Sequence, residues 1–306
     1  MSVWQASCFF SYPWFQSFIS ERGENLCTRH GTNERRKRHR IKITDNGGRM
    51  ERAVLFEKKG NTAVVTLNRP EQKNAIDSAM RKELLKAWDY IEEDKGIYSV
   101  ILTGGEKVFS AGQDLFELSE FRKKEPVAEL PLNNLETFGL HVKKPVIAAV
   151  GGPCLGAGFL LAMICSDVRV ATDTALFGMP EVKVGVPPSF GIPAILARHF
   201  PPAIVADLLL FGRRITALDA FRLGFVNNVV PVEEMLSTAE RYAGEINEMS
   251  PLITGNIKEV VRKVTEADPL SIAYSNAMCA LGRRSEDYIE GPLAFREKRK
   301  PVWKGQ

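Results

Sequence analysis

The chain has 306 residues, 44% hydrophobic and 25% charged, an ordinary globular balance that excludes a disordered, fibrous or low-complexity protein. Lysine and arginine outnumber aspartate and glutamate by 41 to 37, but the first 49 residues hold nine basic and four acidic side chains, leaving 32 against 33 in the rest. Five cysteines and four histidines lack ligand-like spacing, so neither a disulfide framework nor a metal cluster organises the chain, and no metal or resident cofactor is expected.

Residues 1–49 open on scattered aromatics (Phe9, Phe10, Tyr12, Trp14, Phe15, Phe18) and end in a basic run from Arg35 to Lys42. Arginines favour an organellar presequence, whereas Glu21, Glu24 and Glu34 oppose it. A nucleic-acid-binding arm is a second reading of the basic run. The favoured expectation is that the native chain starts at Met50, which makes residues 1–49 a disordered or non-native extension and leaves nucleic acid outside the expected partners.

Ala53 to Glu57 and Ala63 to Leu67 read as strands around a Lys59-Gly60-Asn61 turn. Asp77 to Glu93 reads as a helix, with Asp77 as N-cap and Met80, Leu84, Leu85, Trp88 and Ile91 on one apolar face. Val100-Ile101-Leu102 is a short buried strand, followed by the small, polar, glycine-bearing segment Val108 to Asp114, in which Asp114 reads as a turn or capping carboxylate.

Pro145 to Ser166 contains no charge over 22 residues, the length of a membrane span, yet four glycines and two prolines interrupt it. It divides into a strand (Pro145 to Val150), a turn (Gly151 to Gly156) and a helix from Ala157 to Cys165. A helix that starts at such a turn presents unpaired N–H groups at its positive end, and the turn near Gly112 offers a second backbone donor. Two such turns suit an oxyanion site at the carboxyl ends of strands; the competing reading is a tight crossover where glycine serves only packing. Glu181, behind Pro180 and among glycines and apolar residues, is an unusual carboxylate. Beyond Gly185 the chain becomes helical, with Leu196, Leu208 to Leu210, Met235, Ile246, Val260 and Leu281 expected in the core or at a subunit interface. Cys154, Cys165 and Cys279 read as small core residues, and His141 and His199 as structural ones.

From about Arg52 to the C-terminus, the ordered motifs Asn68-Arg69-Pro70 with Lys73-Asn74-Ala75, Phe109 to Asp114, Lys144 to Val150, Leu155-Gly156-Ala157-Gly158, Phe177 to Glu181, Ile215 to Gly224 and Ala294 to Arg299 resemble the crotonase (enoyl-CoA hydratase/isomerase) superfamily. The resemblance implies an α/β fold, a crotonase-like spiral of ββα units over residues 50–250, with a C-terminal helical trimerisation region over 251–306. It also implies a cytoplasmic homotrimer or dimer of trimers without a membrane span, acting on an acyl-CoA thioester. The family's oxyanion donors fall on the backbone N–H groups of Gln113 and Ala157, each such donor typically stabilising a transition state by about 2.7–4 kcal/mol. Its coenzyme contacts fall on Lys73, Asn74, Ala75, Phe295 and Lys298, and its catalytic carboxylate on Glu181.

Family hydratases generally carry a second glutamate where this chain has Leu160. One base suffices to move a proton from C2 to C4 of a 3-enoyl thioester, so the resemblance implies an enoyl-CoA isomerase, with one-glutamate hydration or a non-catalytic CoA- or RNA-binding role as alternatives. The dienoyl-shifting branch needs a further acid where Ser189 stands. The bulky run from Pro187 to Pro193 implies a reshaped acyl pocket in which Leu160, Ser189 and Phe190 take part.

Overall fold

The computed structural model describes residues 53–125 and 135–305. The aromatic start, the basic run and the expected start at Met50 lie outside the described residues. The described residues belong to one compact unit.

Strands β1 (Val54–Lys59) and β2 (Thr62–Leu67) pair antiparallel around Gly60, whose φ of +58° suits a residue without Cβ. Helix α1 (Ser78–Glu93) starts as its sequence requires: the Asp77 carboxylate accepts from the Met80 N–H, and Met80, Leu84, Trp88 and Ile91 are buried. Strands β3 (Ser99–Thr103) and β4 (Val146–Val150) are buried at every residue, which explains their unbroken apolar runs. Between them lies α2 (Leu115–Lys124), with Asp114 as N-cap.

After β4 come β5 (Pro153–Leu155), α3 (Ala157–Cys165), β6 (Val168–Thr172), β7 (Leu176–Gly178) and a 3₁₀ turn over Pro180–Val184. Helices α4 (Ile192–His199) and α5 (Pro202–Leu210), strand β8 (Arg214–Thr216), helix α6 (Ala217–Arg222) and strand β9 (Asn228–Val230) follow. The C-terminal part is helical: α7 (Met235–Asn247), α8 (Pro251–Thr265), α9 (Pro269–Arg283) and α10 (Asp287–Arg296). The larger sheet has the order β1-β2-β3-β4-β6-β9 and the smaller one β5-β7-β8. Successive chain turns lay one strand in the large sheet and the next in the small one before a helix or 3₁₀ turn, as in β4-β5-α3 and β6-β7-turn. This is the expected spiral of ββα units. Among the described residues no helix is long and apolar enough to cross a membrane.

The segment Gly151 to Gly156 departs from expectation, since it contains strand β5 rather than turn alone. The Pro153 carbonyl accepts from the N–H groups of Phe109 and Ser110, and the Leu155 N–H donates to the Ser110 carbonyl at 2.9 Å. These partners lie over forty residues away, so no local pattern reveals them. Close approach is also real: a Cβ on Gly152 would collide with the Lys107 carbonyl. Of the apolar C-terminal residues, Leu196, Leu208 and Met235 are in the core, whereas Leu210, Val260 and Leu281 are 69%, 62% and 60% exposed.

Under the small sheet, Phe225 packs on Phe159 and Phe200, each with ring centroids 5.2 Å away, and on Phe177 at 5.5 Å. The buried Arg169 guanidinium stacks on its ring at 4.3 Å. His199 meets the same ring edge-on at 5.7 Å, and burial first, then the Arg169 and Arg198 charges, holds its pKa down to about 4. Phe225→Ala is expected to cost roughly 3–5 kcal/mol, read as a loss in a thermal or urea unfolding experiment; a loss under 1 kcal/mol contradicts this packing account.

Candidate active site

Three neighbouring chain segments deliver the candidate groups to one place. Ser110 bridges Cys154 in parallel, and Cys154 pairs with Phe177 in the parallel β5-β7 ladder. The chains therefore leave the small sheet side by side, the first toward Gln113, the second into α3 at Ala157 and the third into the Pro180–Val184 turn carrying Glu181.

Glycine lets the three exits converge. Gly112 has a φ of +96°, and a Cβ there would lie 3.3 Å from the Ala157 nitrogen and 2.8 Å from the Leu155 carbonyl. Gly156, at φ +53°, faces Glu181: a Cβ on it would stand 2.6 Å from Oε1. The N–H groups of Gln113 and Ala157 donate to no backbone carbonyl of the described residues. At Ala157 this follows from helix geometry, since the first N–H groups of α3 have no intrahelical acceptor and lie at its positive end.

Glu181 is half-buried, but its Oε2 is fully enclosed and has no hydrogen-bond partner among the described residues. Burial pushes its pKa up from 4.5 to about 7, opposed only by its own backbone N–H. The cleft holds about 70 Å³ and is lined by Gln113, Ala157, Leu160, Glu181, Ser189 and Phe190, so it gathers all the proposed reaction and acyl-pocket residues. Leu118, Arg122, Phe138, the Pro187-Pro188 pair and Tyr288 complete much of its wall. Leu160 is 1% exposed and lies one helical turn beyond Ala157.

The charges around the turn at Gln113 are paired. Arg69 donates to Asp114 Oδ2 at 3.0 Å and to the Ala75 carbonyl, and meets Asp77 at 3.1 Å. Asp114 also accepts from the N–H groups of Phe116 and Glu117, the capping role expected of it. Buried Arg81 holds the Gln113 side-chain oxygen at 3.0 Å and Glu117 at 2.6 Å, so the Gln113 side chain is an anchor for its own backbone. Arg81 was not anticipated; the available signal was a charge on the apolar stripe of α1, three and seven residues before Leu84 and Trp88. Arg122 and Tyr288 were likewise missed, for the contact between α2 and α10 spans 166 residues: Arg122 Nη2 donates to the Tyr288 hydroxyl at 2.7 Å.

The expected coenzyme contacts are dispersed. Lys73 is exposed with a φ of 53°, while Ala75 is half-buried. The Asn74 side chain turns inward. It is 1% exposed, its amide donates to the carbonyls of Gly104, Val108 and Phe109, and its oxygen accepts from the Arg69 N–H. Those carbonyls would otherwise be unsatisfied, so the side chain is committed to shaping the loop. Phe295 is half exposed, edge-to-face with Phe116 at 6.4 Å, and Lys298 is exposed just beyond α10.

The enoyl-CoA hydratase/isomerase family model matches residues 57–306. The chain belongs to this family. A carnitinyl-CoA dehydratase of Escherichia coli O157:H7 is 38% identical over 268 residues, 84% of this chain and all of that protein. A probable mitochondrial enoyl-CoA hydratase of Dictyostelium discoideum is 37% identical over 248 residues, 81% of this chain and 89% of its own length. The solved carnitinyl-CoA hydratase of Mycobacterium avium superposes with a TM-score of 0.73 at 33% identity, covering 83% of this chain and 99% of that one. An acyl-CoA thioester substrate fits this family.

The Glu181 environment has a consequence for stability. With its pKa raised from 4.5 to about 7, the folded state binds the proton more tightly than the unfolded state, so stability falls as pH rises through this window. Glu181→Gln removes that titration. Relative to the parent, the variant is expected to gain up to about 3 kcal/mol between pH 4 and pH 8, measured by urea unfolding at each pH. A difference that does not change with pH contradicts the enclosed, unpartnered carboxyl.

Proposed function

We propose that this cleft performs single-carboxylate proton transfer on an enoyl-CoA, shifting its double bond through an oxyanion-stabilised dienolate. The observation behind this reading is that Glu181 is the sole carboxylate among the described residues lining the cleft, beside two backbone N–H groups. The thioester oxygen accepts from Gln113 and Ala157, which lowers the energy of charge as it develops on that oxygen. Glu181, ionised, takes the proton from C2 and returns it at C4. A pKa near 7 suits a group that must both accept and release a proton near neutrality. Leu160 presents hydrocarbon where a second acid would hold water, which favours reprotonation over addition.

Lys73, Phe295 and Lys298 stand for the coenzyme end, with no separate cofactor. The exposed apolar side chains of α8 and α9, among them Leu252, Val264 and Leu270 at 70%, 69% and 77%, suit a homotrimer interface.

The relatives' names favour a second reading, reversible hydration with one glutamate. A carnitinyl group finds the Tyr288 face already taken. It carries a quaternary ammonium, which aromatic faces recognise, whereas the Arg122 guanidinium already sits 4.5 Å from the centre of the Tyr288 ring.

Incubation with 2-enoyl- and 3-enoyl-CoA separates the readings by mass, since isomerisation conserves it and hydration adds one water. The expected product of 3-enoyl-CoA is the 2-enoyl isomer; accumulation of a 3-hydroxyacyl-CoA at comparable rate from the parent protein favours hydration. Glu181→Gln is expected to lower kcat by roughly 10²–10⁴-fold with acyl-CoA binding retained. In the parent, kcat/KM should rise with pH around an apparent pKa of about 7 as the base ionises. Undiminished turnover in the variant rejects Glu181 as the proton carrier.

A further inference from the structure

The turn that carries Glu181 is held from behind by the end of the chain. The Glu181 carbonyl accepts from the N–H groups of Gly185 and Val186, so the position of Gly185 sets the backbone of residue 181. Gly185 has a φ of +63° and is hemmed in: a Cβ on it would lie 2.5 Å from the Asp287 carbonyl and 2.8 Å from the Trp303 ring. Helix α10 touches the same turn, because a Cβ on Gly291 would collide with the Val184 carbonyl.

Trp303 reaches this place because the segment after α10 doubles back along it. Asp287 Oδ1 and Oδ2 accept from the N–H groups of Lys304 and Gly305 at 2.6 and 3.0 Å, the two residues after the tryptophan. Glu290 accepts from the Val302 N–H at 2.8 Å and binds both terminal nitrogens of Arg299. Lys304 Nζ pairs with Glu286. These contacts tie residues 299–305 to α10 along its length. Asp287 acts twice, with its carboxylate holding the tail and its carbonyl packed on Gly185.

We infer that residues 299–305 form a strap in which Trp303 is a positioning residue, fixing Gly185 and through it the carboxyl of Glu181 against the two oxyanion donors. Trp303 touches no reacting atom in this account. It acts by denying the 3₁₀ turn a second arrangement, and a displacement of about 1 Å in a reacting group costs on the order of 10²-fold in rate.

This inference rests on Glu181 as the proton carrier, and the test keeps the two apart. Trp303→Ala and a chain truncated after Lys300 are expected to lower kcat at least tenfold with KM changed less than threefold, and to move the apparent pKa of the pH–rate profile. Trp303→Phe should restore most of kcat. Amide exchange at residues 185 and 186 should accelerate at least tenfold in Trp303→Ala, with the β3 and β4 amides unchanged. If both variants melt earlier yet keep the parental kcat, pH profile and exchange at 185 and 186, the strap is structural only and the inference is overturned. If Trp303→Ala does not fold, the truncated chain and Asp287→Asn decide by the same readouts. An active Glu181→Gln overturns the functional reading instead, while the exchange measurement still reports on the strap.

Discussion

The arrangement depends on one register. Ser110, Cys154 and Phe177 sit abreast on three adjoining, parallel segments. Three residues further on are Gln113 and Ala157, and four further on from Phe177 is Glu181. Parallel neighbours end on the same side, so two amides and a carboxylate meet without any long loop to place them. A slip of one residue in either pairing would turn the alternate faces outward and separate the groups. Glycine secures the register where backbones must almost touch, at Gly112 and Gly152, and a side chain at either would push the segments apart.

The second requirement is electrostatic and extends to the far end of α3. Its last carbonyls are met by cations: Arg169 donates to Ala162 and Ser166, and Lys258 to Cys165 while pairing with Asp167 at 2.8 Å. Burial lowers the Arg169 pKa only to about 10, so it remains charged near neutrality. With the negative end of the helix thus satisfied inside the core, the positive end at Ala157 is directed at the cleft with little to offset it. Around Gln113, Arg69 and Arg81 are matched to Asp77, Asp114 and Glu117. Glu181 Oε2, by contrast, has no hydrogen-bond partner among the described residues. The low polarity that raises its pKa would also strengthen hydrogen bonds to the enolate of the proposed reaction, so one enclosure serves both effects.

How much of this was legible in the sequence varies with distance along the chain. Helix α1 was readable because its cap and apolar stripe are local, and α3 began and ended where the uncharged segment indicated. Glycine near residues 112 and 156 announced backbone donors, since only a few backbone jobs require a residue without Cβ. Strand β5 was hidden because its three residues pair only with segments remote in sequence. Arg81, Arg122 and Tyr288 were hidden for the same reason, and Asn74 was legible as part of a motif while its inward-turned amide was not. Motif order identifies which residues gather; it does not say which way a polar side chain faces when several carbonyls compete for it.

Leu160 joins these threads. It follows Ala157 by three residues, so on α3 it stands one turn above the Ala157 N–H, facing the cleft that Glu181 enters. A carboxylate there would add a like charge beside Glu181 and raise the cost of ionising either, leaving one proton shared between two acids. Leucine removes that coupling. The Glu181 carboxyl is then governed by burial and its own backbone N–H, and in the proposed reaction the proton it takes up passes back to the carbon skeleton of the thioester. On the proposed reading, the leucine that withdraws a handle for water leaves Glu181 as the one acid for moving a proton between carbons.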